Sequence, residues 1–257
     1  MKSLQEVDVI IVSYAENEVL RKMTEECLSS LLDSEDPESI GFNIIVVESN
    51  KLAAPYHFRN TRTIYPSCAF GYHRYLNIGI YATKAEYVCI CNNDLIFHQL
   101  WATNLLKTLD SNSDLHSVSP FCNRHHLKHE IAINTGIHYG YEVGREVTGW
   151  CILFRRQILA ITGPLDERFR FWYADNDYSN TLQMCGLKHA LVTSSMVNHL
   201  ESKTLNSRNK RKKSILTSGE RLYYEYKWQN KPKAAYLRDL IKFYFQLIFS
   251  NNLQLLK

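Results

Sequence analysis

The sequence predicts an α/β protein built on a doubly wound, mostly parallel sheet. Apolar runs with no helical period alternate with segments of helical period over roughly the first 120 residues. Three of the apolar runs end abruptly on polar side chains: Ser13, Glu48 and Asp94. The first two flank an amphipathic helix, and strand–helix–strand is a right-handed crossover that makes the strands parallel and puts their carboxyl ends on one edge.

The elements follow in order. Val7–Ser13 reads as a buried strand, and Glu16–Leu32 as a helix with Val19, Met23, Cys27, Leu28 and Leu31 on one face. The breaker-rich loop Asp33–Gly41 leads to the strand Phe42–Val47, and Thr61–Tyr65 is a short third strand. Phe70–Thr83 is a helix with Tyr72, Tyr75, Leu76, Gly79 and Ile80 on its packed face and Asn77 beside them. Tyr87–Cys91 is the central buried strand, Leu100–Leu109 a helix, and Ser117–Ser119 a short strand.

The pattern changes at Pro120. Residues 121–146 carry His125, His126, His129 and His138, and a solvent-facing loop over a cleft is expected. His125 and His129 have i,i+4 spacing, which could pair two ligands, but no Glu accompanies them. Val147–Phe154 is a strand, Arg155–Ile161 a short helix and Gly163-Pro164 a turn. An aromatic stretch then ends on the acidic pair Asp175 and Asp177, Tyr178–Cys185 is helical with Gly186 as its cap, and Lys188–Thr193 is a strand. Beyond Asn206 comes a basic run, Ser207–Lys213, with five basic residues in seven. Glu220–Trp228 is helical. A second helix starts at Lys233, its apolar stripe formed by Leu237, Leu240, Ile241, Tyr244, Phe245 and Ile248, with Arg238, Lys242 and Gln246 opposite. Such a helix suits an anionic membrane surface or packs back on the domain.

Composition sets the limits. The 257 residues can bury a sizeable core. With 45% hydrophobic and 22% charged residues, the chain is globular. A net charge of +4 is too small to argue for nucleic acid. Seven irregularly spaced cysteines suggest reduced thiols and a cytoplasmic setting. No segment reaches the ~20 apolar residues that span a bilayer, and no secretory signal is expected.

The stretch Glu86–Phe97, EYVCICNNDLIF, is the centre of the functional reading. A strand that ends on Asn92, Asn93 and Asp94 places a carboxylate at the carboxyl edge, where ligands of open α/β sheets bind. One carboxylate among amides suits a hard cation and phosphate oxygens, but on their own these three residues read first as a plain turn. Asp94, the Asp175/Asp177 pair and His199 can all converge on that edge. Sugar transfer from a nucleotide sugar needs such a set, with a cation for the leaving diphosphate and a carboxylate to take the acceptor's proton. The bland alternatives are Asp175 as a helix N-cap, His199 as an ordinary strand-end histidine and Glu48 as a loop charge.

From about Val7 to about Ser202 the chain resembles the inverting, GT-A-fold glycosyltransferases of family 2. The resemblance rests on VDVIIVSY, NIIVVESN, GYHRYLNIGIYATKAEYVCICNNDLIF, TGWCILFRRQIL, GPLDERFRFWYADNDYS and VNHLES, in that order. It implies a globular domain over residues 1–206, with a nucleotide-sugar half (1–119) and an acceptor and catalytic half (120–206), and a C-terminal extension over 207–257. It implies Asp94 and His199 as ligands of a divalent cation, Mn²⁺ or Mg²⁺. Ser13, Glu48, Asn77, Asn92 and Asn93 fall on the donor side. Asp175 aligns with the general base, Asp177 stands as its support or rival, and Trp150 as the floor of the acceptor site. The implied donor is UDP- or dTDP-linked, with rhamnose among the sugars. The acceptor is a glycan or lipid-linked glycan, and the protein is cytoplasmic or peripheral on a membrane. Asn92 and Ala174 depart from the family's usual acidic residues. They favour the rival reading, a degenerate, non-catalytic nucleotide-sugar or carbohydrate-binding module.

Overall fold

The computed structural model describes residues 4–200 and 210–252. Gln5–Ser13 (β1), Ile40–Glu48 (β2), Thr61–Ile64 (β3) and Tyr87–Asn92 (β4) pair in the order β3-β2-β1-β4, all parallel. The helices between them are Glu18–Asp33 (α1) and Tyr72–Tyr81 (α2). Leu95–Phe97 (β5), Trp101–Ser111 (α3) and Leu115–Phe121 (β6) follow. Cys151–Arg155 (β8) runs antiparallel between β4 and β6. Lys188–His199 (β9) is parallel to β6, and β5 and Ile137–Tyr139 (β7) pair antiparallel to β9.

Alternation along β1 builds two cores, because successive strand side chains face opposite sides of a sheet. Val7, Val9 and Ile11 pack with Cys27, Leu28 and Leu31 of α1 and Leu105 and Leu109 of α3. Ile10 packs with Leu76 and Ile80 of α2 and with Tyr178 and Leu182 of Ala174–Met184 (α6). The sheet is therefore covered on both faces, as its apolar strands require. Asn17 starts α1, its side chain accepting from the Leu20 N–H at 3.0 Å. The α2 backbone approaches β1 closely at Gly79, where an added Cβ would lie 2.3 Å from Ile10 Cγ2.

Several expected boundaries move. Residues 121–146 are not an open loop: Asn123–His126 (α4), a 3₁₀ turn at Leu127–His129 and β7 occupy much of that stretch. β8 begins at Cys151 rather than Val147, because Thr148–Trp150 forms a turn closed by Cys151 N–H to Thr148 O at 2.9 Å. The short helix expected over Arg155–Ile161 is a 3₁₀ turn, Arg156–Ile158, followed by Leu159–Thr162 (α5). β9 extends to His199 instead of ending at Thr193, since its second half pairs with β5. α6 begins at Ala174, four residues earlier than its periodicity indicates.

The C-terminal part forms two helices, Lys210–Trp228 (α7) and Lys233–Asn252 (α8). α8 packs on α7 through Tyr236 against Tyr226 (4.7 Å) and Phe243 over Gly219, and Asp239 pairs with Lys231 of the connection between the helices at 3.0 Å. Leu237, Ile241, Tyr244 and Phe245 remain exposed. Part of the basic run, residues 207–209, lies outside the described residues, as do Glu201 and Ser202.

Candidate active site

The carboxyl ends of β1, β2 and β4 are level: Ser13 stands opposite Glu48, and Val12 opposite Asn92. After Asn92 the chain turns through Asn93 and Asp94 into β5. Leu95 pairs with His199, so strand register brings residues 94 and 199 together. The Leu200 N–H donates to the Asp94 carbonyl at 2.9 Å, and His199 Nε2 lies 3.3 Å from Asp94 Oδ1. Trp150 stacks on His199 with centroids 5.6 Å apart and planes 20° from parallel. The Asn92 N–H donates to the Trp150 carbonyl at 2.9 Å, which ties the turn before β8 to the end of β4.

Asp175 reaches the same turn from α6. The residue at the N-cap is Tyr173, at φ 60°, so Asp175 lies in the first turn, where the helix dipole favours a carboxylate. Its carboxylate packs on the bare face of Gly149: a Cβ there would fall 2.2 Å from Asp175 Cγ. Burial pushes the Asp175 carboxyl above its ordinary pKa. Tyr72, which the sequence placed only on a packed helix face, connects these parts. Its hydroxyl is 3.2 Å from Asn92 Oδ1 and 3.3 Å from the Gly149 carbonyl, as donor to both. Burial first, and then the charges of Asp175 and, more weakly, Asp94, raise the Tyr72 pKa.

The expected donor-side residues are mostly committed to one another. Glu48 is fully buried; its Oε1 accepts from the Ala15 and Asn50 N–H groups at 3.0 and 2.7 Å, and its Oε2 from Tyr56 Oη at 3.2 Å. It is therefore no solvated loop charge. Ser13 Oγ joins Thr24 Oγ1 and Tyr56 Oη, and Asn93 Nδ2 donates to Thr24 Oγ1 at 2.8 Å. Asn77 spends its amide on Leu165, donating to the carbonyl at 2.9 Å and accepting from the N–H at 3.1 Å. This locks the Gly163-Pro164 turn to α2. Trp150 is only 8% exposed, so the ring face expected for a sugar is taken up by His199.

Asp177 sits elsewhere. It faces α7, where Lys227 Nζ at 2.6 Å and Trp228 Nε1 at 2.8 Å both donate to its Oδ1. Of the histidines in residues 125–129, His126 is buried, accepts from the Cys122 N–H, and has its Nε2 3.0 Å from the Arg145 carbonyl, whereas His129 is exposed. His125 bonds the Gly144 carbonyl. Among the described residues no three His, Cys, Asp or Glu side chains converge as a ready-made metal cluster.

The family described as "Glycosyl transferase family 2" matches residues 8–160, more than half of the chain. The chain belongs to glycosyl transferase family 2. Its fold is the GT-A fold of that family. A crystal structure of GalNAc-T7 with UDP, GalNAc and Mn²⁺ superposes with a TM-score of 0.61 at 13% identity, covering 93% of this chain and 54% of that one. A mannosyltransferase, PcManGT from Pyrobaculum calidifontis, in complex with GDP-Man and Mn²⁺, gives 0.60 at 14% identity, covering 94% and 69%. This family 2 chain thus spans about half the length of the first of these structures. No curated protein matches it in sequence.

Of the two departures from the family 2 pattern, one has a local explanation. Ala174 is buried with Phe169 and Tyr223 in an aromatic cluster, where a glutamate would lose its solvation. Asn92 accepts from Tyr72, which a carboxylate could also do, and nothing else in the structure accounts for the amide.

Proposed function

We propose that this family 2 chain is a metal-dependent inverting glycosyltransferase that moves a sugar from a nucleoside diphosphate to a hydroxyl of a glycan or lipid-linked acceptor. The observation that carries this reading is the junction at the carboxyl edge: Asp94 against His199, with Asp175 on Gly149, the neighbour of the stacked Trp150.

The donor set fits a divalent cation. A carboxylate oxygen and an imidazole nitrogen that share one ion at about 2.1 Å stand about 3 Å apart when adjacent in its shell. The observed separation is 3.3 Å. Asp94 and His199 would hold the ion, and water and diphosphate oxygens would fill the other positions. When bound, the cation supplies charge neutralisation to the departing diphosphate.

The residues then divide the work. Asp175 takes the proton of the acceptor hydroxyl, and the raised pKa of its carboxyl makes it a stronger base than an exposed aspartate. The acceptor oxygen bonds to the anomeric carbon as the bond to the phosphate oxygen breaks, in one displacement that inverts configuration. Gly149 leaves the space in which Asp175 sits, and Tyr72 fixes the Gly149 carbonyl and Asn92. Trp150 seats His199 and borders the acceptor side. The Glu48 network shapes the donor end by holding the loops after β1 and β2.

UDP- and dTDP-linked sugars, rhamnose included, are the first donors to test. GDP-mannose joins them because one structural neighbour holds it. A thermal-shift screen of these donors with Mn²⁺ and with EDTA tests the reading, since a ligand that binds only the folded state raises its melting temperature. At least one donor should raise it with Mn²⁺ and not with EDTA; no rise with any donor would overturn the proposal.

The acceptor fits presentation at an anionic membrane. On α8 the exposed Leu237, Ile241, Tyr244 and Phe245 lie beside the exposed Arg238 and Lys242, while the one acid of the helix, Asp239, is paired with Lys231. None of the described helices is long and apolar enough to cross a membrane. Flotation with vesicles containing phosphatidylserine should carry the chain upward, and Ile241→Glu/Phe245→Glu should abolish this.

A further inference from the structure

We infer that Lys227 is a positioning residue for the transfer reaction, and that α7 forms the wall that holds the Asp175 segment in register. The inference rests on Asp175 being the base. It adds that residues some fifty positions later in the chain set the base in place.

The segment from Asp166 to Asp177 has little regular structure of its own before α6, and α7 fastens it at three points. At its start, the Asp166 carboxylate accepts from Tyr223 Oη and Lys227 Nζ, both at 2.9 Å. In its middle, Glu220 Oε2 accepts from the Phe171 and Trp172 N–H groups at 3.0 and 2.6 Å. At its end, Lys227 Nζ and Trp228 Nε1 hold Asp177. Between these points Phe169 and Ala174 are buried against Tyr223, and Tyr173 stacks on Tyr224 at 4.8 Å. Among the described residues Lys227 alone joins the first and last points, 2.9 Å from Asp166 and 2.6 Å from Asp177.

Charge explains why a lysine is needed. Asp177 is 5% exposed, and Lys227 is the one cation paired with it among the described residues. Without that cation, the buried carboxylate must take up a proton or swing towards water. Either response moves the first turn of α6, where Asp175 lies two residues earlier. Asp166 keeps a second partner in Arg168, so the consequence falls on the Asp177 end. The family match ends at residue 160, so both the clamped segment and the clamp lie outside it.

The test uses the full chain and Lys227→Met, which keeps the length of the side chain and removes the charge. Hydrogen–deuterium exchange should quicken by at least ~10-fold at the α6 first turn and over residues 166–173, with β4 amides unchanged. Turnover of the donor found by the thermal-shift screen should fall by ~10-fold or more, with the donor KM within about threefold. Asp177→Asn/Lys227→Met removes the buried charge along with its partner and should recover most of the turnover. Unchanged exchange at α6 overturns the inference, and so does a loss confined to donor KM or a double variant as slow as the single. If Lys227→Met does not fold, Lys227→Arg takes its place: near-normal exchange and turnover support the clamp, and a slow, loosened enzyme overturns charge as its basis. Altered exchange in a protein that no donor stabilises would instead overturn the glycosyltransferase reading and leave the clamp standing.

Discussion

Two aspartates two residues apart in one helical turn have opposite surroundings. Burial raises the pKa of both carboxyls, but Asp175 rests on a glycine, whereas Asp177 is tied to an ammonium and an indole N–H that oppose the rise. Removing the base should cost at least ~100-fold in turnover, so Asp175→Asn should be nearly dead. Asp177→Asn keeps the Trp228 contact and should retain turnover within about tenfold of wild type; a dead Asp177→Asn beside an active Asp175→Asn would reverse the assignment. The acid limb of the pH–rate profile should lie above the ordinary carboxylate range, because activity is lost as pH falls through the raised pKa of Asp175. Gly149→Ala should act like a partial loss of Asp175, slowing turnover at least ~10-fold while the protein stays folded, since the new methyl occupies the carboxylate's place. Wild-type turnover in Gly149→Ala would show that Asp175 is not needed there.

Elements were legible in the sequence where their signal is local. β1, β2 and β4 each close on an apolar run, residues 9–12, 44–47 and 87–91, and the polar residues that end these runs mark the carboxyl edge without any tertiary knowledge. The local pattern of β9 stops at Thr193 because Thr193, Ser194 and Ser195 interrupt its apolar run, and the partner that extends it, β5, lies about a hundred residues earlier. Local periodicity does not show the start of α6, because Tyr173 and Ala174 belong to an aromatic cluster shared with α7. Asn77 reads as a polar residue near the nucleotide, but its amide completes the backbone of a turn 88 positions away, which no local pattern records. The α2–β1 contact gives a prediction at this scale. Gly79→Ala meets Ile10 at 2.3 Å and should cost about 1–3 kcal/mol in urea unfolding; no loss would mean the helix can shift freely.

At the scale of the molecule, one sheet edge gathers residues from the whole chain, and the surrounding core is sensitive to acid. His73, His126 and His189 are buried, and desolvation lowers each to about 4 from 6.5. The unfolded chain therefore binds more protons below pH 6.5, and stability is lost as pH falls from 6.5 towards 4. On the order of 2 kcal/mol per histidine should be gone by about pH 5, so the urea midpoint should drop well below its neutral value; a flat midpoint would mean these rings are not held neutral. The convergence of distant side chains has a more direct test. Titrating Mn²⁺ in the presence of UDP and following the free-ion signal by electron paramagnetic resonance reads cation binding at the carboxyl edge. Wild-type protein should deplete the signal, and Asp94→Ala and His199→Ala should each leave it near the protein-free level. Equal depletion by all three proteins would contradict a shared cation site at Asp94 and His199.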